Sequence, residues 1–381
     1  MKKYRVGVVG FGHRGRQMCK LAAMFDNVEI AAGCDAFPHN WFETQWLSNA
    51  PMAEMFPNAV FYEDYDKMLE EANLDIVIVE TGADIHAEFC CKALEKNIHV
   101  LTDIPLVANL EEAEMIWKVS QKTKAIISTG ANPNYQRFSF QLKDFYQKGL
   151  LGEPVFLEAE YIHWFLPTSE SYTHYNENGD WRKLLCPIRY CTHSLGPLLP
   201  IVKEDLRYVS CFGTGRRALP SDYGTVGEKD DLQSAQFRTE DGVVIHITRA
   251  GRVRARIPQH SYRAFGTEGY MELMYRGPKM TIQYNSMKEL DTELQTIDGK
   301  ILLPEYEYSD KAADAGHGGM DYAMMDYFLR ALDKGEVAVS VKEGLKMTLP
   351  GIYAEESAKR GGQVMKIRYP WDEDWTTKFD D

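Results

Sequence analysis

Hydrophobic residues in the first third of the chain come in short runs separated by amphipathic stretches. Tyr4–Val9, Val28–Cys34, Asp75–Thr81, Ile98–Thr102 and Ala125–Thr129 read as strands. Asp75–Thr81 is β-branched and apolar on both faces, as a strand covered from two sides should be. Arg16–Phe25, His86–Lys96 and Leu110–Lys122 carry helical spacing between them. Strands joined through helices need right-handed crossovers, which predicts a doubly wound parallel sheet. Past Asn132 the texture changes to dense aromatic, proline and glycine residues. Alternating segments appear at Pro154–Tyr161, Arg207–Gly213, Leu232–Arg238, Val243–Arg249, Ser261–Gly266 and Tyr270–Tyr275. This pattern predicts a large, mostly antiparallel open sheet. Two helical stretches follow, Met320–Leu332 and Lys342–Lys359. The expected organisation is an α/β chain with a dinucleotide-binding domain over residues 1–130 and a substrate-binding α+β domain over 131–381.

Composition narrows the function classes. A 44% hydrophobic, 26% charged chain of 381 residues is an ordinary globular one. Its 43 Lys and Arg against 56 Asp and Glu give a net charge of −13, which repels a phosphate backbone and argues against nucleic acid as partner. Ile76–Val79 and Ile98–Leu101 are far shorter than the ~20 residues of a spanning helix, so no membrane partner is expected. The opening MKKYRVGVVGFG reads as a first strand, not a signal peptide. Seven scattered cysteines with no CxxC pair fit neither a zinc ribbon nor a disulfide framework, and a reducing cytoplasm is the expected compartment.

Gly10-Phe11-Gly12-His13-Arg14-Gly15 is G-x-G-x-x-G, placed between a strand and a helix. Asp35 closes the next strand twenty residues after Gly15, the spacing of an acid that binds the adenosine ribose. Gly10 permits the tight turn, Gly12 lets backbone approach a pyrophosphate, and Gly15 lets helix and sheet pack. The helix N-terminus offers unpaired N–H groups to the phosphates. Arg14 can assist there or remain solvated. Asp35 disfavours a 2′-phosphate, and no Arg follows it in Ala36-Phe37-Pro38, so the cofactor reads as NAD.

Thr81-Gly82-Ala83-Asp84-Ile85-His86-Ala87-Glu88, followed by Ala93-Leu94-Glu95-Lys96-Asn97-Ile98-His99-Val100-Leu101, resembles the Gfo/Idh/MocA oxidoreductase family. The resemblance implies a carbohydrate-type substrate, a homo-oligomer formed through the open sheet, and cofactor contacts at Thr81, His86, Asp103 and Pro105. Asp103-Ile104-Pro105 departs from the family's usual Glu-Lys-Pro, and isoleucine cannot transfer a proton. An aliphatic residue there is similar to the family's NAD-dependent glycoside hydrolase branch, the α-N-acetylgalactosaminidases among them. Tyr190-Cys191-Thr192-His193-Ser194-Leu195-Gly196-Pro197, Glu160-Tyr161-Ile162-His163 and Gly316-His317-Gly318-Gly319-Met320-Asp321-Tyr322 resemble segments of that branch. Cys191, in place of proline, and Ala131-Asn132-Pro133-Asn134-Tyr135, which lacks a glutamate, depart from it.

Oxidising a secondary alcohol needs a base for the hydroxyl proton. His193 is the candidate, with an ordinary pKa near ~6.5 suited to neutral pH, and Tyr190 one helical turn away is its partner. Tyr161 and His163, two apart in a strand, share a face. Trp164 can stack on a sugar ring, Trp181 and Arg182 can meet its hydroxyls or a carboxylate, and His317 either binds substrate or caps a helix. The spacings of His163, His174 and His193 match no common metal set, so no metal is expected. Arg249–Arg256 (RAGRVRAR) reads as a solvated sheet face or subunit contact. The expected activity is NAD-dependent hydride transfer from a sugar or glycoside ring carbon, carbon 3 by this reading. The alternatives are redox-neutral glycoside hydrolysis by oxidation, elimination, water addition and reduction, and a non-catalytic NAD sensor.

Overall fold

The computed structural model describes residues 3–45, 48–163, 186–215, 230–251, 253, 260–276, 279–288, 295–298, 311–312 and 315–380. Trp164, His174, Trp181, Arg182 and the arginines at 252, 254 and 256 lie outside them. The chain divides into two compact units. One holds the described residues of Met1–Gly130 and Met324–Leu345; the other holds those of Ala131–Leu166, Lys183–Ala323 and Lys346–Asp381.

In the first unit, β1 (Tyr4–Val9), β2 (Val28–Cys34), β3 (Val60–Tyr62), β4 (Ile76–Val79), β5 (His99–Thr102) and β6 (Ile127–Thr129) form a sheet of order β3-β2-β1-β4-β5-β6. Every pairing is parallel. All four side chains of β4 are buried, because helices cover both sheet faces. The strand order reverses between β1 and β4, where this fold places its ligands. The helix after β1 spans His13–Ala22, starting three residues earlier than its apolar spacing suggested and directly on the glycine turn.

The second unit carries β7 (Pro154–Ile162), β8 (Leu206–Gly213), β9 (Leu232–Thr239), β10 (Val244–Ala250), β11 (His260–Gly266), β12 (Gly269–Arg276), β13 (Lys279–Ser286), β14 (Gln295–Asp298) and β15 (Met365–Lys366). They form one sheet of order β14-β13-β12-β11-β7-β10-β9-β8-β15. Its pairings are antiparallel except the parallel pair β7–β10. Strict alternation buries one face: Leu157 and Ala159 on β7, Ile245 and Ile247 on β10, Ala235 and Phe237 on β9, Tyr262 and Ala264 on β11. Phe138, on a helix over Arg137–Gln147 that the sequence pattern did not reveal, stacks on Tyr262 at 5.3 Å between ring centroids. No helix among the described residues is long and apolar enough to cross a membrane.

Candidate functional site

The glycine turn after β1 is shaped by three different constraints. Gly10 has φ +88°, and a Cβ there would meet the Glu80 carbonyl oxygen at 2.6 Å. A Cβ on Gly15 would stand 1.7 Å from the Gly10 carbonyl oxygen. At Gly12 a Cβ would meet no protein atom within 4 Å. Packing therefore demands glycine at positions 10 and 15, whereas the space beside Gly12 is open at the start of a helix with no side-chain cap. That is the room a pyrophosphate requires, with backbone N–H groups facing it.

Asp35 is buried and held from two sides. The Phe11 N–H donates to its Oδ2 at 2.6 Å and the Phe37 N–H to its Oδ1 at 2.8 Å. Each carboxylate oxygen keeps a second lone pair, enough to accept from a ribose hydroxyl. Arg16 donates to the Phe11 carbonyl at 2.6 Å and fixes the turn. These residues fit NAD: glycine backbone at the pyrophosphate, Asp35 at the ribose.

Other residues expected at the cofactor have protein partners. Arg14 Nε lies 3.9 Å from a carboxylate oxygen of Asp103. His86 is 1% exposed, its Nε2 2.8 Å from the Thr81 carbonyl oxygen and its Nδ1 3.1 Å from that of Pro105. Its ring thus ties the loop after β4 to the loop after β5, which makes it a support for Thr81 and Pro105. His13 is partly exposed at the helix start, and Ile104, in the place of the family lysine, is buried.

In the second unit, register brings chemistry together. Arg249 on β10 lies opposite Tyr161 on β7, and Tyr161 lies opposite His260 on β11. The three side chains form a row at one end of the buried face. The His260 ring stacks on Tyr161 at 4.1 Å and 10°, and the Arg249 guanidinium carbon sits 4.1 Å from the Tyr161 ring centroid. Tyr190 ends a 3₁₀ turn over Pro187–Tyr190, and His193 belongs to the short helix Thr192–Leu195 that follows. The His193 ring is 4.9 Å from those of Tyr161 and Tyr190. His163 is 5.4 Å from Tyr161, edge on. The structure thus brings the pair Tyr190 and His193 together with the pair Tyr161 and His163, and adds His260 and Arg249, which the sequence pattern did not single out for this cluster. Arg249 is a correction: it is 4% exposed and not part of a solvated face.

Hydrogen bonds settle one tautomer. The Tyr262 hydroxyl, 2.7 Å from the His193 carbonyl oxygen, must donate there because a carbonyl only accepts. At its 3.3 Å contact with His260 Nδ1 it therefore accepts, so Nδ1 carries the hydrogen and Nε2 is a bare acceptor in the neutral ring. Nitrogen-15 NMR should show His260 as this single tautomer at neutral pH. The opposite tautomer would contradict the assignment.

Burial, reinforced by His260, His317, Arg249 and His163, holds the His193 pKa well below the ordinary histidine range. Burial, with Arg249, His163 and His317, pushes His260 down to about 3. The near-neutral value expected for His193 is thus corrected: it stays unprotonated at physiological pH. Its Nδ1 is buried with no hydrogen-bond partner among the described residues. The unfolded chain protonates both rings below ~6.5 while the folded one does not, so stability falls as pH falls from there towards the depressed values. For His260 this should cost about 2 kcal/mol between pH 7 and pH 5, and His193 adds to it in the same direction. Urea unfolding at the two pH values tests this, and His260→Gln should reduce the difference. Equal stability at both would contradict it.

His317 is half exposed and pairs with Asp321 at 2.8 Å in the first turn of the helix Met320–Lys334; Asn132 donates to the other Asp321 oxygen at 2.9 Å. Among the described residues no cluster of His, Cys, Asp or Glu is arranged to hold a metal ion.

Over 388 aligned residues, 94% of this chain and 83% of the relative, the chain is 26% identical to an alpha-N-acetylgalactosaminidase of Shewanella oneidensis. A levoglucosan dehydrogenase solved with NADH and levoglucosan superposes with TM-score 0.78 at 18% identity, covering 96% of this chain and all of that one. The scyllo-inositol dehydrogenase of Lactobacillus casei, solved with NAD(H) and scyllo-inositol, gives 0.72 at 14%, covering 96% and 99%. At such identities the two structures establish a shared fold. Residues 4–131 match the Gfo/Idh/MocA family profile, an oxidoreductase family with an NAD-binding Rossmann fold. Over residues 4–131, then, this chain is similar to the NAD-binding Rossmann domain of the Gfo/Idh/MocA oxidoreductases.

Proposed function

We propose that the protein is an NAD-dependent oxidoreductase acting on carbohydrate, taking hydride from a ring carbon that bears a hydroxyl, carbon 3 by this reading. The carrying observation is the convergence of Tyr161, Tyr190, His193 and His260 in a chain whose other unit has a dinucleotide fold. Gly10, Gly12, Gly15 and Asp35 hold the cofactor. When bound, its nicotinamide supplies the hydride acceptor. His193, held neutral, accepts the hydroxyl proton, which becomes strongly acidic as the carbon is oxidised. Tyr190 orients that hydroxyl, and His163 and His317 meet others on the ring. From residue type alone, Trp164 and Trp181 are assigned to stack on the sugar ring and Arg182 to meet its hydroxyls or a carboxylate. Phe212 and Phe265, exposed on the large sheet, support its use as a homo-oligomer face.

A second reading is favoured by a specific feature. Plain oxidation needs one proton acceptor, yet Tyr161 stands beside His193 as another. Once a ketone forms, the neighbouring C–H is acidic. Tyr161 takes that proton, the aglycone departs, water adds, and the net reaction is glycoside hydrolysis with the cofactor unchanged overall. The full-length similarity to a protein named as a glycosidase supports this reading.

The test gives purified protein and NAD a panel of chromogenic glycosides and the matching free sugars, following aglycone and NADH together. Net NADH with the glycosidic bond intact supports the oxidoreductase. Aglycone without net NADH supports the hydrolase. NAD binding with silence in both channels across the panel contradicts both and favours a sensor.

A further inference from the structure

We propose that Arg249 is a positioning residue that keeps Tyr161 poised as a phenolate, and so sets the pH at which that tyrosine works as a base. The inference rests on the proposed role of Tyr161 and extends it to a residue the sequence pattern assigned elsewhere. Three observations converge. The guanidinium carbon lies 4.1 Å from the Tyr161 ring centroid, against 5.7 Å for Tyr190, so its charge falls mainly on Tyr161. The same guanidinium donates through Nη1 to the Tyr161 carbonyl at 3.2 Å and to the Ala250 carbonyl, which locks it to the two strands. Both residues are buried, Arg249 at 4% and Tyr161 at 6% exposure, so water screens the pair little.

Among the described residues, the groups in ring or cation contact with Tyr161 are Arg249 on β10, His260 on β11, His163 beyond β7, Tyr190 on the 3₁₀ turn and His193 on the short helix after it. Each of these is cationic or neutral. Burial, the larger cause of the depressed His193 and His260 values, opposes a charge on the phenol, and the Arg249 guanidinium 4.1 Å from the ring is the group that offsets it. A cation over the ring attracts a phenolate more than a phenol, because a full charge replaces a quadrupole. In the proton transfer, the C–H bond of the substrate breaks, its electron pair stays on the substrate, and a new O–H bond forms on Tyr161.

The decisive experiment is tyrosinate absorbance titration of the full protein, subtracting Tyr161→Phe from wild type, which needs neither substrate nor turnover. The difference should show one tyrosine ionising roughly one to three pH units below the ordinary ~10. In Arg249→Gln, which keeps an N–H donor for the carbonyls but no charge, that tyrosine should rejoin the others; in Arg249→Lys it should stay low. Wild-type Tyr161 titrating with the other tyrosines overturns the proposal, even if the glutamine variant does not fold. A low value unmoved in Arg249→Gln overturns it too, leaving Arg249 a structural tie. If the titration behaves as expected while the carbohydrate panel is silent, the functional reading fails and the charge coupling stands.

Discussion

Replacing His193 with asparagine is expected to lower kcat on a carbohydrate substrate by about 10²- to 10⁴-fold, the range for loss of a positioned proton acceptor. NAD affinity should be unchanged, since Gly10, Gly12, Gly15 and Asp35, the residues proposed to hold the cofactor, all lie in Met1–Gly130. Asparagine keeps polarity where the buried Nδ1 has no described partner, and the carbonyl that Tyr262 grips belongs to the backbone and survives the change. Steady-state kinetics and a separate NAD titration check this. A loss confined to KM, with kcat intact, would remove His193 from the proton transfer and leave it a binding residue.

The other large effect is expected in the glycine turn, where two substitutions should part stability from binding. Gly15→Ala drives a methyl to 1.7 Å from the Gly10 carbonyl oxygen, backbone that cannot step aside. Overpacking of this kind should cost about 3 kcal/mol and displace the helix start, weakening NAD by about 100-fold. Gly12→Ala meets no protein atom within 4 Å, so the protein should fold with stability changed by less than about 1 kcal/mol. Its methyl still occupies the room assigned to the pyrophosphate, and NAD affinity should fall by about 10-fold or more. Urea unfolding without cofactor, beside an NAD titration, separates the two. Tight NAD binding by Gly12→Ala would place the pyrophosphate elsewhere.

The sequence was most legible where chemistry is local. Gly10, Gly12 and Gly15 lie within six residues, and Asp35 directly follows the adjacent strand, so the strand–turn–helix unit and the acid beside it could be read from spacing alone. Tyr190 and His193 were also legible as a pair, because a turn and a short helix bring residues three apart together. The short helices at His39–Phe42 and Met52–Met55 were not, since four residues hold barely one helical turn and show no period.

His260 and Arg249 escaped for a different reason. Arg249 is 88 residues from Tyr161 and His260 is 99, and what joins them is strand register, which local pattern does not encode. Arg249 also sits among arginines that suggest solvent. Its burial follows only from alternation, which puts it on the same face as Ile245 and Ile247. For His193 the residue was legible but its protonation was not, because burial and four surrounding cationic or ionisable groups determine it.

On the proposed function, hydrogen moves between a carbohydrate ring carbon and NAD on this protein. The most direct test is incubation with NAD and a sugar or glycoside deuterated at the ring carbons, followed by mass analysis of the recovered cofactor. Deuterium should appear in the nicotinamide ring, and be abolished in His193→Asn, whether the net outcome is oxidation or hydrolysis. Tight NAD binding with no deuterium in the cofactor from any deuterated sugar in the panel would contradict it.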